Sequence, residues 1–375
     1  MINIEIIVLS FIVLITIFYI KNIISYTIGW EKLTESKQKD NSSPKQTFSI
    51  VIAFRNESEN LDNLLHDLIN INFPKHLFEV ILVNDDSTDN SKEIVEDFIY
   101  NNNQDWQLLE SKGGKKNAIK EAIKTAKNEF IFSTDADCRI PKNILKSYDQ
   151  QLQTEKKKLI AGPVIFKNRS SFFGKLVDLE FMSLIISGAG AISINKPIMI
   201  NAANMVFAKN IAIENIDNIY NNSIQSGDDI FLMQYIIDKY GENEISFLKN
   251  KSGIIKTDSP KTLKAFVNQR LRWASKAKHY KVNHTSKSAI GILLFNFTLL
   301  ISIFLLTTNY WYIFPTLFII KLIVDIPILL SASKFFDKSL SFPIFILLEI
   351  IYPLYIVGIG ILSFFIKSTW KGRKI

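Results

Sequence analysis

Phe78-Glu-Val-Ile-Leu-Val-Asn-Asp-Asp-Ser-Thr-Asp-Asn-Ser91 is the stretch on which the reading of this chain turns. Its first half is a short apolar run rich in β-branched residues, the composition of a buried strand. Its second half turns polar at once: Asp85, Asp86, Ser87 and Thr88 suit a turn, and Asp89 or Ser91 can start a helix. The same order recurs on both sides. Phe48-Ser-Ile-Val-Ile-Ala-Phe54 runs into Arg55-Asn-Glu57, and Ser58 can N-cap a helix carrying Leu61, Leu64, Leu65 and Leu68. Trp106, Gln107, Leu108 and Leu109 precede a helix expected over residues 117–126, and Phe130-Ile-Phe132 leads to Asp135-Ala-Asp137. Strands alternating with helices predict a mostly parallel sheet covered by helices on both faces. Ligands of such sheets bind beyond the carboxyl ends of the strands, where these polar clusters fall.

Each cluster has a plain reading beside a chemical one. The Asp85–Asp89 segment is also what an ordinary strand-to-helix turn looks like. Asp135 and Asp137 could form a polar loop, but two carboxylates at i and i+2 repel and need a counter-charge. Mg²⁺ or Mn²⁺, bound through oxygens and shared with phosphates, would supply it. Lys112-Gly-Gly-Lys-Lys-Asn117 is glycine-rich and basic without being a Walker A loop, since Asn117 stands where Lys-Ser/Thr is required. Ser226-Gly-Asp-Asp-Ile230 begins an apolar helix, and helix capping is its plain reading. Gln269-Arg-Leu-Arg-Trp273 lies on an amphipathic helix expected from about Thr262 to Tyr280, which also suits a basic helix on a membrane surface.

The chain has 375 residues, 47% hydrophobic against 21% charged, which excludes a disordered protein. Its one cysteine, Cys138, excludes a disulfide framework and a cysteine zinc site. The net charge of +8 has no nucleic-acid motif to accompany it, and an anionic membrane surface accounts for it. Residues 2–20 form an apolar run with no preceding Lys or Arg and no small-residue cleavage site after it, so an uncleaved anchor is expected. Residues 289–306, 311–330 and 340–366 read as three more spans, containing Asp325 and Glu349, for which helix packing is the plain role. Four spans place the central domain and the basic tail on opposite faces, whereas the positive-inside rule wants both in the cytoplasm. The boundaries expected are an anchor over 1–30, a linker over 31–47, a catalytic domain over 48–288, and membrane helices with a basic tail over 289–375.

Taken together and in order, Val51-Ile-Ala-Phe-Arg-Asn-Glu57, Val83-Asn-Asp-Asp-Ser-Thr-Asp89, Gly114-Lys-Lys-Asn-Ala118, Thr134-Asp-Ala-Asp137, Gly227-Asp-Asp229 and Gln269-Arg-Leu-Arg-Trp273 resemble the membrane-associated family 2 glycosyltransferases. The resemblance implies a GT-A fold, an α/β domain with a Rossmann-like, mostly parallel sheet, joined here to transmembrane helices. It implies nucleotide binding by Ala53, Glu57, Asp85, Asp86, Lys115 and Asp135, with Asp86 reading the base and Asp85 alongside. The family's glycine is missing from Asn84-Asp-Asp-Ser87. Asp137, with Asp135, matches the metal-binding D-x-D, and Asp229 matches the general base. Asp228, Gln269, Arg272 and Trp273 fall at the diphosphate and acceptor positions.

The function so implied is inverting, metal-dependent transfer from a nucleotide sugar, a UDP-sugar first, to a lipid-linked or polysaccharide acceptor. The expected place is the inner membrane, multi-pass, with the domain in the cytoplasm where nucleotide sugars are made. A processive polysaccharide synthase and a non-catalytic nucleotide-sugar-binding protein are the alternatives. A transporter fits less well, since most of the polar chain lies outside the spans. Specificity is expected in loops such as residues 162–205. Asp228 and Asp229 are successive helical residues, about 100° apart, so one of the two is expected to face the reacting centre.

Overall fold

The computed structural model describes residues 4–36, 43–167, 171–220, 227–276 and 284–366, and the backbone of 369–370 and 373–374. The strands of the main sheet are β1 (Phe48–Phe54), β2 (Phe78–Asp85), β3 (Gln107–Ser111), β4 (Phe130–Ser133), β5 (Leu159–Ala161), β7 (Met205–Ala208) and β8 (Ile245–Phe247). Their order is β3-β2-β1-β4-β7-β5-β8. β1 to β4 run parallel, β7 is antiparallel to both its neighbours, and β8 is parallel to β5. β6 (Val164–Phe166) and β9 (Ile255–Thr257) form a second, parallel pair. Phe48, Ile50, Ile52, Val80 and Leu82 are fully buried, as expected of central strands sandwiched by helices.

The helices around the sheet are α2 (Ser58–Ile69), α3 (Ser91–Asn101), α4 (Lys115–Thr125), α5 (Ile144–Thr154), α7 (Lys209–Glu214), α8 (Ile216–Ile219), α9 (Asp228–Tyr240) and α10 (Leu263–Ser275). Two starts differ from expectation. α4 begins two residues earlier, because Gly114 adopts φ +93° and frees Lys115 to open the helix. Ser58 is the first residue of α2 rather than its cap, and Glu57 precedes it without a side-chain cap. The donors there are met from the next loop instead: Glu57 N donates to Ser91 Oγ at 2.8 Å and Ser58 N to Asp89 Oδ2 at 3.3 Å. The ends of β1 and β2 are thereby stitched together. Residues 277–283, where α10 was expected to continue, lie outside the described residues.

Among the described residues, five helices are long and apolar enough to cross a membrane: α1 (Ile4–Lys32), α6 (Phe172–Ser193), α11 (His284–Ser302, with a 3₁₀ continuation to Thr307), α12 (Ile313–Phe335) and α13 (Phe342–Phe365). Sequence led to four, and residues 162–205 were expected to be loops. α6 is nonetheless flanked by strands of one domain. β5 and β7, which pair directly, stand on either side of it in sequence. A single crossing by α6 would separate paired strands across a bilayer, so both its ends lie on the domain's side. It packs so tightly on α1 that a Cβ on Gly190 would meet Tyr26 O at 2.0 Å and one on Gly29 would meet Gly190 O at 2.1 Å. Such backbone contact needs glycine on both helices.

Asp325 and Glu349 are paired within the bundle. Tyr19 Oη donates to Asp325 at 2.6 Å, and Lys321 Nζ donates to Asp325 at 2.7 Å and also to Glu349, joining α1, α12 and α13. The segment expected to be a linker is tied down where it is described. Lys249 Nζ donates to Trp30 O and Leu33 O, each at 2.9 Å, and Lys45 N and Gln46 N donate to Asp149 Oδ1 at 2.9 and 2.8 Å. Residues 37–42 of that segment and most of the basic tail lie outside the described residues.

Candidate active site

A cleft of about 200 Å³ opens at the carboxyl ends of β1 and β4, closed on one side by α10. Ala53, Glu57, Lys115, Asp135, Asp137, Asp228, Asp229, Gln269, Arg272 and Trp273 all line it. Residues from five separated stretches of sequence therefore meet at one point. Asp85 ends β2 and Asp86 follows it, beside the cleft without lining it. Arg55 Nη1 donates to Asp85 O at 2.7 Å and Asp86 O at 2.6 Å, and Gly114 N donates to Asp85 Oδ1 at 2.9 Å. Asp86 has φ +54°, the left-handed conformation that a glycine adopts without cost. Asp86 thus occupies the turn position of the family's missing glycine, and its half-exposed carboxylate lies 3.4 Å from Arg55. Asp85 is wholly buried.

The electrostatics of the cleft are unbalanced. Burial, then the nearby charges of Asp135 and Glu57, push Asp137 up to about 6, against the attraction of Lys115 and a 3.2 Å hydrogen bond donated by Thr257. Lys115 Nζ sits 2.5 Å from Asp135 Oδ1. Burial would raise Asp229, but Lys276 Nζ at 3.3 Å and the Ile230 N–H at 2.8 Å outweigh it and hold the carboxyl below its usual range. Asp228 Oδ2 is buried and accepts no hydrogen bond among the described residues. Burial lowers the Arg272 guanidinium against the pull of Asp135, Asp229, Asp228 and Asp137.

A buried carboxyl raised by its acidic neighbours, next to a carboxylate oxygen with no partner, is a site short of positive charge. Its donors are all oxygens, which suits Mg²⁺ or Mn²⁺ rather than a softer ion. Among the described residues no three His, Cys, Asp or Glu side chains group as a metal cage. The protein offers Asp137 and Asp135 and leaves the remaining positions to other oxygens.

Asp228 and Asp229, of which one was expected to face the reacting centre, both line the cleft. They open α9 behind Gly227, a left-handed residue at φ +99°, so the first turn presents its open end to the cleft. Ser226 lies outside the described residues.

Sequence reading missed Arg55, Thr257 and Lys276, which complete the cleft. Lys276 had a legible signal, since it follows Arg272 by four residues and so shares its helix face. Arg55 stands in the first motif yet acts on the backbone of the second. Thr257 sits on the short strand β9, where nothing local marks it.

Residues 49–216 match the family model of Glycosyl transferase family 2. A poly-beta-1,6-N-acetyl-D-glucosamine synthase of Staphylococcus epidermidis is 33% identical over 141 residues, covering 36% of this chain and 33% of that protein. One from Staphylococcus aureus is 27% identical over 169 residues, covering 45% of this chain and 39% of that protein. The chain thus matches well under half the length of these curated relatives. A mannosyltransferase from Pyrobaculum calidifontis, solved with GDP-Man and Mn²⁺, superposes with a TM-score of 0.58 at 13% identity, covering 95% of this chain and 98% of that one. The fold shared with it is the GT-A fold.

Proposed function

We propose that this member of glycosyltransferase family 2 moves a sugar from a nucleotide-sugar donor to an acceptor held at the membrane, inverting the anomeric centre. The observation that carries the reading is the convergence of Asp137, Asp228, Asp229, Gln269, Arg272 and Trp273, scattered over more than a hundred residues, on one cleft beyond the strand ends.

The chemistry follows from charge. Displacing a nucleoside diphosphate from the anomeric carbon builds negative charge on the leaving phosphate. Asp137 and Asp135 would hold Mg²⁺ or Mn²⁺, which when bound lends positive charge to that diphosphate. Arg272 adds a buried guanidinium from the opposite wall. Lys115 holds Asp135 in place. Asp229, kept ionised by Lys276, accepts the proton of the incoming hydroxyl. A single in-line displacement gives inversion. Ala53 and Glu57 flank the ribose, and Asp85 at the end of β2 takes the base, a pyrimidine first because its imide N–H needs a carboxylate acceptor.

The apolar helices beside the cleft support a lipid-linked or polysaccharide acceptor and a multi-pass inner-membrane protein with its domain in the cytoplasm. The division into anchor, catalytic domain over 48–288 and C-terminal helices belongs to the same reading. The resemblance to poly-N-acetylglucosamine synthases favours repeated addition as a second reading. The test is a panel of UDP- and GDP-sugars given to the chain in membrane vesicles, with release of the nucleoside diphosphate as the readout. The expected result is release from one UDP-sugar above the rest. Release from none of them would refute the reading.

A further inference from the structure

Arg270 lies between two residues of the cleft without lining it. It is 3% exposed, and its partner Glu180, in the middle of α6, is 2% exposed. Arg270 grips Glu180 with two nitrogens: Nε donates to Oε1 at 3.2 Å and Nη2 to Oε2. Its third nitrogen, Nη1, donates to Gln269 Oε1 at 2.6 Å. The guanidinium carbon lies 4.2 Å from the centre of the Trp273 ring and 4.6 Å from that of Phe266. From the membrane side, Tyr355 Oη on α13 donates to Glu180 Oε1 at 3.0 Å, and its ring packs on Phe266 at 5.2 Å. One buried cation thus touches both Gln269 and Trp273, and its carboxylate partner is anchored to a membrane helix.

We propose that Arg270, Glu180 and Tyr355 are positioning residues, which set the geometry of Gln269, Arg272 and Trp273 from the membrane helix α13. This rests on the transfer reading above. Residues 270 and 272 are about 200° apart around α10, so a clamp on one face fixes where the other face points. A buried ion pair seldom adds stability over an apolar pair of the same size, because desolvating both charges consumes the gain. A bidentate guanidinium does impose one orientation, which an apolar pair does not. Its use here is register. The clamp holds the amide of Gln269 and the ring of Trp273 on either side of Arg272.

The test compares the wild-type chain in membrane vesicles with two variants, a double variant carrying Glu180→Met and Arg270→Met, and Tyr355→Phe. Three quantities are read: the thermal midpoint, the affinity for UDP with Mg²⁺, and UDP release from the donor that the panel selects. The double variant is expected to keep its midpoint and its UDP affinity while release falls ~10-fold or more, the scale of a small misplacement at a reacting centre. Tyr355→Phe, which removes one hydroxyl and should fold in any case, is expected to lose release by roughly 3-fold with UDP affinity unchanged. Release at the wild-type rate in Tyr355→Phe would overturn the proposal, as would loss of UDP affinity in step with release. If the wild-type chain releases no nucleoside diphosphate from any donor of the panel, the transfer reading fails and this inference fails with it. Wild-type release with equally fast variants removes this inference alone.

Discussion

The cleft and the membrane bundle both bury carboxylates, in different company. In the bundle, Lys321 stands between Asp325 and Glu349, and Tyr19 donates to both oxygens of Asp325. Each acid there has a partner from the protein. In the cleft, Lys115 engages Asp135 and Lys276 engages Asp229, while Asp228 keeps an unpartnered buried oxygen and Asp137 is pushed up to about 6. Buried charge that is fully paired holds helices together. Buried charge left short of cations waits for a ligand that brings them, and the cost of the imbalance is recovered on binding.

If that contrast is right, the two sites should fail in different ways. The largest effect expected is from metal removal. Excess chelator should abolish nucleotide-sugar turnover, and Asp137→Ala should abolish metal-dependent UDP binding while leaving the thermal midpoint in place. Turnover that persists in chelator would remove the cation from the account. In the bundle the loss should be one of stability. Lys321→Met leaves two acids buried without their cation, and is expected to destabilise by about 3–5 kcal/mol, seen as a lower thermal midpoint, with turnover per folded molecule unchanged. A variant equally stable but inactive would assign the bundle cluster to the chemistry instead.

A smaller effect concerns pH. Asp229 is held below its usual range by Lys276 against burial, so it is ionised at neutral pH and is protonated only as pH falls through that lowered value. Turnover should be lost on the same descent. Lys276→Met removes the largest of the effects that oppose burial and leaves only the Ile230 N–H and Lys115 against it, so the acid limb of the pH–rate profile should move to higher pH. An unmoved limb would show that another group sets it. The smallest effect separates the acids after β2. Asp85→Ala should narrow the preference for UDP over GDP by several-fold, about 1 kcal/mol, and Asp86→Ala by less, since its backbone conformation is that of a turn glycine.

Most of the sheet and the cleft was legible because their signals are local. Apolar runs of strand length ending in polar, acid-bearing clusters mark β1, β2 and β4 with their ligand-facing ends, and those ends meet wherever parallel strands pair. What escaped depends on contacts far apart in sequence. α6 lies in a stretch whose Gly and Ser content resembles loop, and only its packing on α1 explains Gly190. Lys321 is a single lysine in an apolar run, noticed only when Asp325 and Glu349 close around it. The left-handed φ of Asp86 belongs to a turn that no local signal in the sequence marks.

The central claim is that Asp229 takes a proton in a transfer carried out at this cleft. The most direct measurement is the initial rate of UDP release by the Asp229→Asn chain in vesicles, beside UDP binding by the same protein. Asn keeps the shape of Asp and cannot accept the proton. The account predicts UDP affinity within about twofold of wild type and a rate ~10²-fold lower or more. A rate equal to wild type, with Asp228→Asn losing it instead, would contradict the assignment, and both variants at full rate would contradict the catalytic role of this pair.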